Sequence, residues 1–240
     1  MSPRGETKGE CPLTKSAESS ESNLQRRRRS AQTKDAAGYA ERRHRIIASA
    51  AAAFSEVGYD ATTFADIARR AGADRASVYY YASSKEELFQ LVCSGMLESN
   101  LEAAENIAAR DITADKKLSL ILHQHMATHA AGFPQWTVLV QEMRRITDAD
   151  TTWSKDAVTN MRRYESVVRE IVETGMQDGT LRSDLPADLV VHSLFGMLNW
   201  THRWYKPDGR YNAEQIADAF AGVALGGLMV SRDSPSDGTS

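Results

Sequence analysis

His125 and His129 stand four residues apart, with His123 two residues before them, in a stretch whose apolar period is helical. Two imidazoles at that interval share one helix face and could hold a divalent metal ion, but no Cys, Asp or Glu completes a ligand set nearby. They read as exposed or pocket-lining histidines, and no metal is assigned. The chain has no nucleophile elbow, phosphate-binding loop or HExxH pair, so no catalytic residue and no cofactor is assigned either. Cys11 and Cys93 are the only cysteines, too few for a disulfide framework or a cysteine metal cage.

What remains able to do chemistry is cationic and aromatic, and it is unevenly spread. The formal net charge of −3 hides two halves of opposite sign: residues 1–85 carry 15 Lys and Arg against 10 Asp and Glu, and residues 86–240 carry 14 against 22. Lysine and arginine displace the counterions condensed on a polyanion, so the first third is where nucleic acid would be met. Residues 1–36 contain the run Arg26-Arg27-Arg28-Arg29 and have almost no apolar periodicity, which predicts a disordered arm. That arm is either a solvated tail or a strand of positive charge reaching phosphates or the minor groove beside the main contact.

The elements that must position these groups are all helical. From Ala36 the apolar stripe Ile46, Ile47, Ala50, Phe54, Val57 predicts a first helix, stopped by Gly58. Thr63 with Asp66 resembles a capping box, and Phe64, Ile67, Ala68 and Ala71 follow at helical spacing up to Gly72. Asp74 can cap a third helix over Arg75–Tyr81, and Ser84 with Glu87 opens a long fourth helix to about Arg110. Further helices are predicted over 115–131, 135–147, 153–178, 186–205 and 212–230, bounded by Gly132-Phe133-Pro134, Gly179, Pro186, Pro207-Asp208-Gly209 and Asn212 with Gln215. The expectation is an all-α chain of about nine helices: an arm over 1–36, a helix-turn-helix domain over 37–91, a body over 92–230 and a frayed tail over 231–240. No run reaches the roughly 18 apolar residues of a membrane span. The N-terminus lacks the apolar core of a secretory signal, so a cytoplasmic protein without a membrane partner is expected.

Two short helices joined at Gly72 have the helix-turn-helix spacing, in which the second helix enters the major groove while the first crosses the backbone. The segment TTFADIARRAGADRASVYYYASSKEELF, residues 62–89, closely resembles the DNA-binding signature of the TetR family, and with the first helix the resemblance runs from about Ala40 to Leu91. It implies that Thr62 and Thr63 anchor a phosphate at a helix start. It also implies that Arg75, Ala76 and Ser77 face base edges, with Arg75 able to pair bidentately with guanine. Tyr79 and Tyr80 match the family's aromatic pair, Tyr80 handing its hydroxyl to a phosphate, and Lys85 would contact the backbone from the start of the fourth helix. Val78 is core, and either Tyr79 or Tyr81 packs inward. Two positions depart from the pattern: Ala76 stands where many members have Gly, and Ala82 where most have Phe.

The same resemblance implies that the body encloses a small-molecule pocket and that its last two long helices form a four-helix bundle in a homodimer, which presents two recognition helices to a palindromic operator. Residues 196–228, GMLNWTHRWYKPDGRYNAEQIADAFAGVALGGL, look like a narrower branch: repressors of fatty-acid and sterol catabolism that release DNA on binding a CoA thioester. An acyl or ring moiety needs apolar walls, and the nucleotide needs cations such as Arg203, Lys206 or Arg210. The resemblance points to Asn199, Arg203 and Trp204 as ligand contacts, with Trp136 and Trp153 outside them. Trp200 and Trp204 serve equally as core or interface, and Arg203 as half of an ion pair across the dimer. Two other functions fit a basic helical bundle: an architectural DNA binder without a ligand, and a lipid or CoA-ester enzyme.

Overall fold

A computed structural model of the chain describes residues 36–229; the Arg26–Arg29 arm and the tail over 231–240 lie outside the described residues. These residues form ten α-helices and a 3-10 turn, with no strand among them. The helices are α1 (Ala36–Val57), α2 (Phe64–Ala71), α3 (Arg75–Tyr81), α4 (Lys85–Ala108), α5 (Ala114–Ala131), α6 (Phe133–Gln141), α7 (Met143–Asp148), α8 (Thr152–Gln177), α9 (Ala187–Trp200) and α10 (Ala213–Leu228). Among the described residues, Ala36–Ala40 at the start of α1 fall in one unit and those from Glu41 on in another.

The short helices exist because their ends are satisfied. At α2 the Thr63 hydroxyl accepts the Asp66 N–H at 3.2 Å while the Asp66 carboxylate accepts the Thr63 N–H at 3.1 Å, the reciprocal box expected from the sequence. Gly72 then adopts φ 62°, the left-handed conformation that costs glycine least, and the Ala73 N–H reaches back to the Ala68 carbonyl at 2.9 Å. Asp74 caps α3 by accepting the Ser77 N–H at 2.6 Å. Ser84 caps α4 through the Glu87 N–H, but the Glu87 carboxylate takes the N–H and hydroxyl of Ser83.

The segment read as one helix over 135–147 is two. α6 begins earlier, at Phe133 with Pro134 in its first turn, and the helical path breaks at Glu142, whose backbone lies at φ −98°, ψ 16°. Its carboxylate holds Arg145 Nε at 3.1 Å. Likewise 186–205 ends at Trp200 and tightens into the 3-10 turn Thr201–Arg203, where the buried Thr201 hydroxyl donates to the Leu198 carbonyl.

Two packed regions result. Around α1–α3, Phe54, Tyr59 and Phe89 stack edge-on, and Phe89 in turn meets Trp153 of α8 at 5.9 Å between ring centroids. In the body, Leu118, Leu122 and Met126 of α5 interlock with Val168 and Val172 of α8, Leu194 and Leu198 of α9 and Ala217 of α10. α4 belongs to both regions, because Leu88 and Phe89 pack in the first and Ala104 in the second.

Candidate nucleic-acid interface and internal cavity

The face of α3 that carries Arg75 and Ala76 is exposed, while Val78 and Tyr81 are buried, so Tyr81 is the tyrosine that packs. Tyr79 is 38% exposed and lays its ring against Phe64 at 4.4 Å. Its hydroxyl accepts from the Arg75 guanidinium at 3.2 Å, and that guanidinium also lies 5.5 Å from the Tyr79 ring centroid. Arg75 therefore sits at the first turn of α3 with its direction already restricted by a neighbour one turn on. Ser77 is half-buried, as is Tyr80, whose ring meets Tyr81 at 5.1 Å.

Thr63 is exposed at the start of α2, whereas Thr62 is buried and donates its hydroxyl to the Gly58 carbonyl at 2.8 Å. Lys85 is half-buried. Its ammonium donates to the carbonyls of Tyr59, Asp60 and Thr62 at 2.9, 3.0 and 3.1 Å, engaging all three of its protons. It thereby ties the first turn of α4 to the connection between α1 and α2. Tyr59, in that connection, donates its hydroxyl to Glu86 at 3.0 Å, and burial together with the Glu86 carboxylate pushes the phenol upward, so it stays protonated.

The body contains a cavity of about 250 Å³ walled by α4, α5, α6, α7, α8 and α9. Leu97, Leu139, Met143, Met161 and Phe195 give it apolar walls. Asn100, His125 and Trp136 are buried within it, while His192 and Asn199 stand at an exposed edge. His125 Nδ1 pairs with the Tyr164 hydroxyl at 3.1 Å. Burial pushes His125 down to about 4 and Tyr164 upward, so the interior end is uncharged at neutral pH.

Of the ligand residues expected from the sequence, Trp136 and Asn199 line this cavity. Trp153 does not; its indole N–H donates to Ser94 at 2.8 Å between α4 and α8. Arg203 is exposed just past α9 with its guanidinium 5.1 Å over the Trp200 ring, and Trp204 faces Phe220. Asn100, Asn160, Tyr164, Glu165 and His192 also line the cavity and were not singled out by the sequence, because a polar residue on an apolar helix face carries no mark distinguishing a pocket wall from a satisfied core position; His125, read from the sequence as exposed or pocket-lining, lines it too.

Residues 46–92 match the family profile described as bacterial regulatory proteins of the tetR family, and residues 111–228 match the tetracyclin repressor-like C-terminal domain. A curated relative, the HTH-type transcriptional repressor KstR2 of Mycolicibacterium smegmatis, is 28% identical over 194 residues, covering 80% of this chain and 93% of the relative. The solved structure of the ketosteroid transcriptional regulator KstR2 of Mycobacterium tuberculosis superposes with a TM-score of 0.75 at 25% identity, covering 79% of this chain and 96% of that one. AibR, solved in complex with isovaleryl coenzyme A and operator DNA, shares the fold at a TM-score of 0.65 and 21% identity, with 76% of this chain and 97% of that one covered.

Proposed function

The chain belongs to the TetR family of bacterial regulators, which are not enzymes, and from that premise we propose that it is a transcriptional repressor binding a palindromic operator as a homodimer and leaving it when a small, mostly apolar effector fills the cavity. Arg75, Ala76 and Ser77 read base edges, and Thr63 and Tyr80 hold phosphates. A CoA thioester is the leading effector class. Its acyl or ring part would occupy the apolar interior, and its phosphates would lie outside, past Asn199, near Arg203. The ketosteroid in KstR2's description supports a ring-bearing effector, and AibR, a protein of the same fold, is solved with isovaleryl coenzyme A.

The observation that carries the reading is that one helix serves both sites. The first turn of α4 holds the α1–α2 connection through Lys85, while Leu97 and Asn100 of the same helix stand in the cavity wall. At 1.5 Å per residue, Lys85 and Asn100 are about 22 Å apart along one rigid rod. An effector that shifts α4 therefore moves the DNA-reading pair out of register. A hundredfold loss of operator affinity needs a coupling of about 2.8 kcal/mol.

Homodimerisation is supported by an apolar face on α9 and α10, where Leu189 is 60% and Val223 72% exposed, beside Leu185 and Met197. The test is operator binding by fluorescence anisotropy with a panel of acyl- and ring-bearing CoA thioesters, with mass measured by light scattering. A dimer released by one member of the panel is expected. Tight thioester binding with unchanged operator affinity would refute the sensor reading, and a monomer that binds operator fully would refute the dimer.

A further inference from the structure

Four buried side-chain polar atoms among the described residues have no partner within the protein: Asn100 Oδ1, His125 Nε2, Trp136 Nε1 and His129 Nε2. Three of the four belong to residues lining the same cavity. Asn100 is 7%, His125 3% and Trp136 4% exposed, and the His125 and Trp136 rings meet edge-on with centroids 4.7 Å apart. A buried polar atom left without a partner costs about 1–3 kcal/mol, so proteins rarely tolerate three in one place. The chain itself supplies none of these three atoms with a partner, and a polar group on a molecule entering the cavity could.

We propose that the interior end of the cavity is a recognition site for an uncharged oxygen, a ketone or hydroxyl, carried on the effector's ring or chain and held by Trp136 Nε1, His125 Nε2 and Asn100 Oδ1. The chemistry of each atom sets this class. Trp136 can only donate and so requires an acceptor. Asn100 Oδ1 can only accept, and a hydroxyl gives it a proton that a ketone lacks. His125 adapts: if Tyr164 donates to Nδ1, Nε2 carries the proton and donates, and if Tyr164 accepts, Nε2 accepts. No Lys or Arg lines the cavity, so a carboxylate would be left unpaired at this end. A plain alkyl chain fills the space and strands all three atoms. Selectivity should therefore lie in the oxygen rather than in the carbon skeleton.

This inference rests on the cavity being the effector site, and the test separates the two. Tetralin, 1-tetralone and 1-tetralol share one carbon skeleton, and their binding to the full chain is measured by calorimetry. The ketone and alcohol are expected to bind at least tenfold tighter than tetralin, and Trp136→Phe or His125→Phe should bring that ratio towards one, the ratio cancelling any change in packing that all three compounds share. Should either variant fail to fold, the wild-type protein still answers: long-range proton–nitrogen spectra should show His125 Nε2 shifting with tetralone and not with tetralin. Equal affinity for all three compounds would overturn the oxygen site while leaving the cavity a ligand site. Failure of all three to bind would overturn both.

Discussion

Arg145 Nη2 lies 2.7 Å from Asp60 Oδ1, joining α7 to the connection that precedes α2 across eighty-five residues of sequence. The same guanidinium stands 4.1 Å from the Tyr59 ring centroid and donates to Glu142. Met143, two residues earlier, lines the cavity. α7 thus joins the cavity wall to the connection before α2, as α4 does. Asp60 is 85% exposed, so the ion pair itself contributes little stability, within about 1 kcal/mol. Its value would lie in coupling. Arg145→Met should leave effector affinity and free-state operator affinity within about threefold, yet reduce effector-driven release by about 0.5–2 kcal/mol. Operator titrations with and without effector measure this, and an undiminished release would confine the signal to α4.

Lys85 admits a sharper test, because a phosphate-contacting lysine and a turn-clamping lysine differ in their response to salt. A lysine that neutralises a phosphate contributes about one to the slope of log affinity against log salt. The Lys85 ammonium is instead engaged by three carbonyls of the α1–α2 connection. Lys85→Met should therefore weaken operator binding similarly across sequences and lower stability by about 1–3 kcal/mol, while the salt slope stays as in the wild type. A slope reduced by about one with stability unchanged would return Lys85 to the phosphate backbone.

How much of this was legible depended on the range of the determining contacts. The Thr63–Asp66 box, the Gly72 stop, the Asp74 cap and the Asn212–Gln215 box are all satisfied within three or four residues, and the sequence shows them directly. The break at Glu142 has no glycine or proline to announce it; it coincides with Arg145 reaching a distant Asp60, a tertiary fact. The cavity was half legible. Trp136 and Asn199 stood out as types and His125 as an exposed or pocket-lining histidine, but Asn100 acquires its meaning only when α4, α5 and α6 converge. The pairing of Trp153 with Ser94 and of His125 with Tyr164 likewise joins separate helices, which periodicity cannot express.

Arg75 is pre-oriented by Tyr79, and that predicts two variants of different kind. Arg75→Ala should cost about 1–3 kcal/mol at a single operator position and relax the preference there. Tyr79→Phe keeps the ring against Phe64 but removes the hydroxyl that accepts from Arg75, so it should produce a weaker loss at that same position. Binding to a library of operator variants distinguishes the outcomes. Uniform weakening by Arg75→Ala would mean that Arg75 touches phosphate and reads no base.

The two buried histidines make stability depend on pH in a stated direction. Burial pushes His125 down to about 4, and burial with the nearby His125 and His202 pushes His129 down to about 3, against an unfolded value near 6.5. Above 6.5 both are neutral in the folded and unfolded chain, and neither alters stability. As pH falls below 6.5 the unfolded chain takes up protons that the fold refuses. Stability then falls by about 1.4 kcal/mol per pH unit for each histidine until the folded values are reached. His123 acts oppositely, since the Ser119 carbonyl and the Asp218 carboxylate raise it, but it is partly exposed and offsets only a fraction. The net expectation is a loss of a few kcal/mol between pH 7 and pH 5, a window above the range where most carboxylates titrate. Urea denaturation at both pH values measures it, and His125→Gln should remove roughly half of the difference. A flat profile across that window would mean that the histidines take up protons in the folded chain, and that the cavity's interior end is not the uncharged surface inferred from its burial.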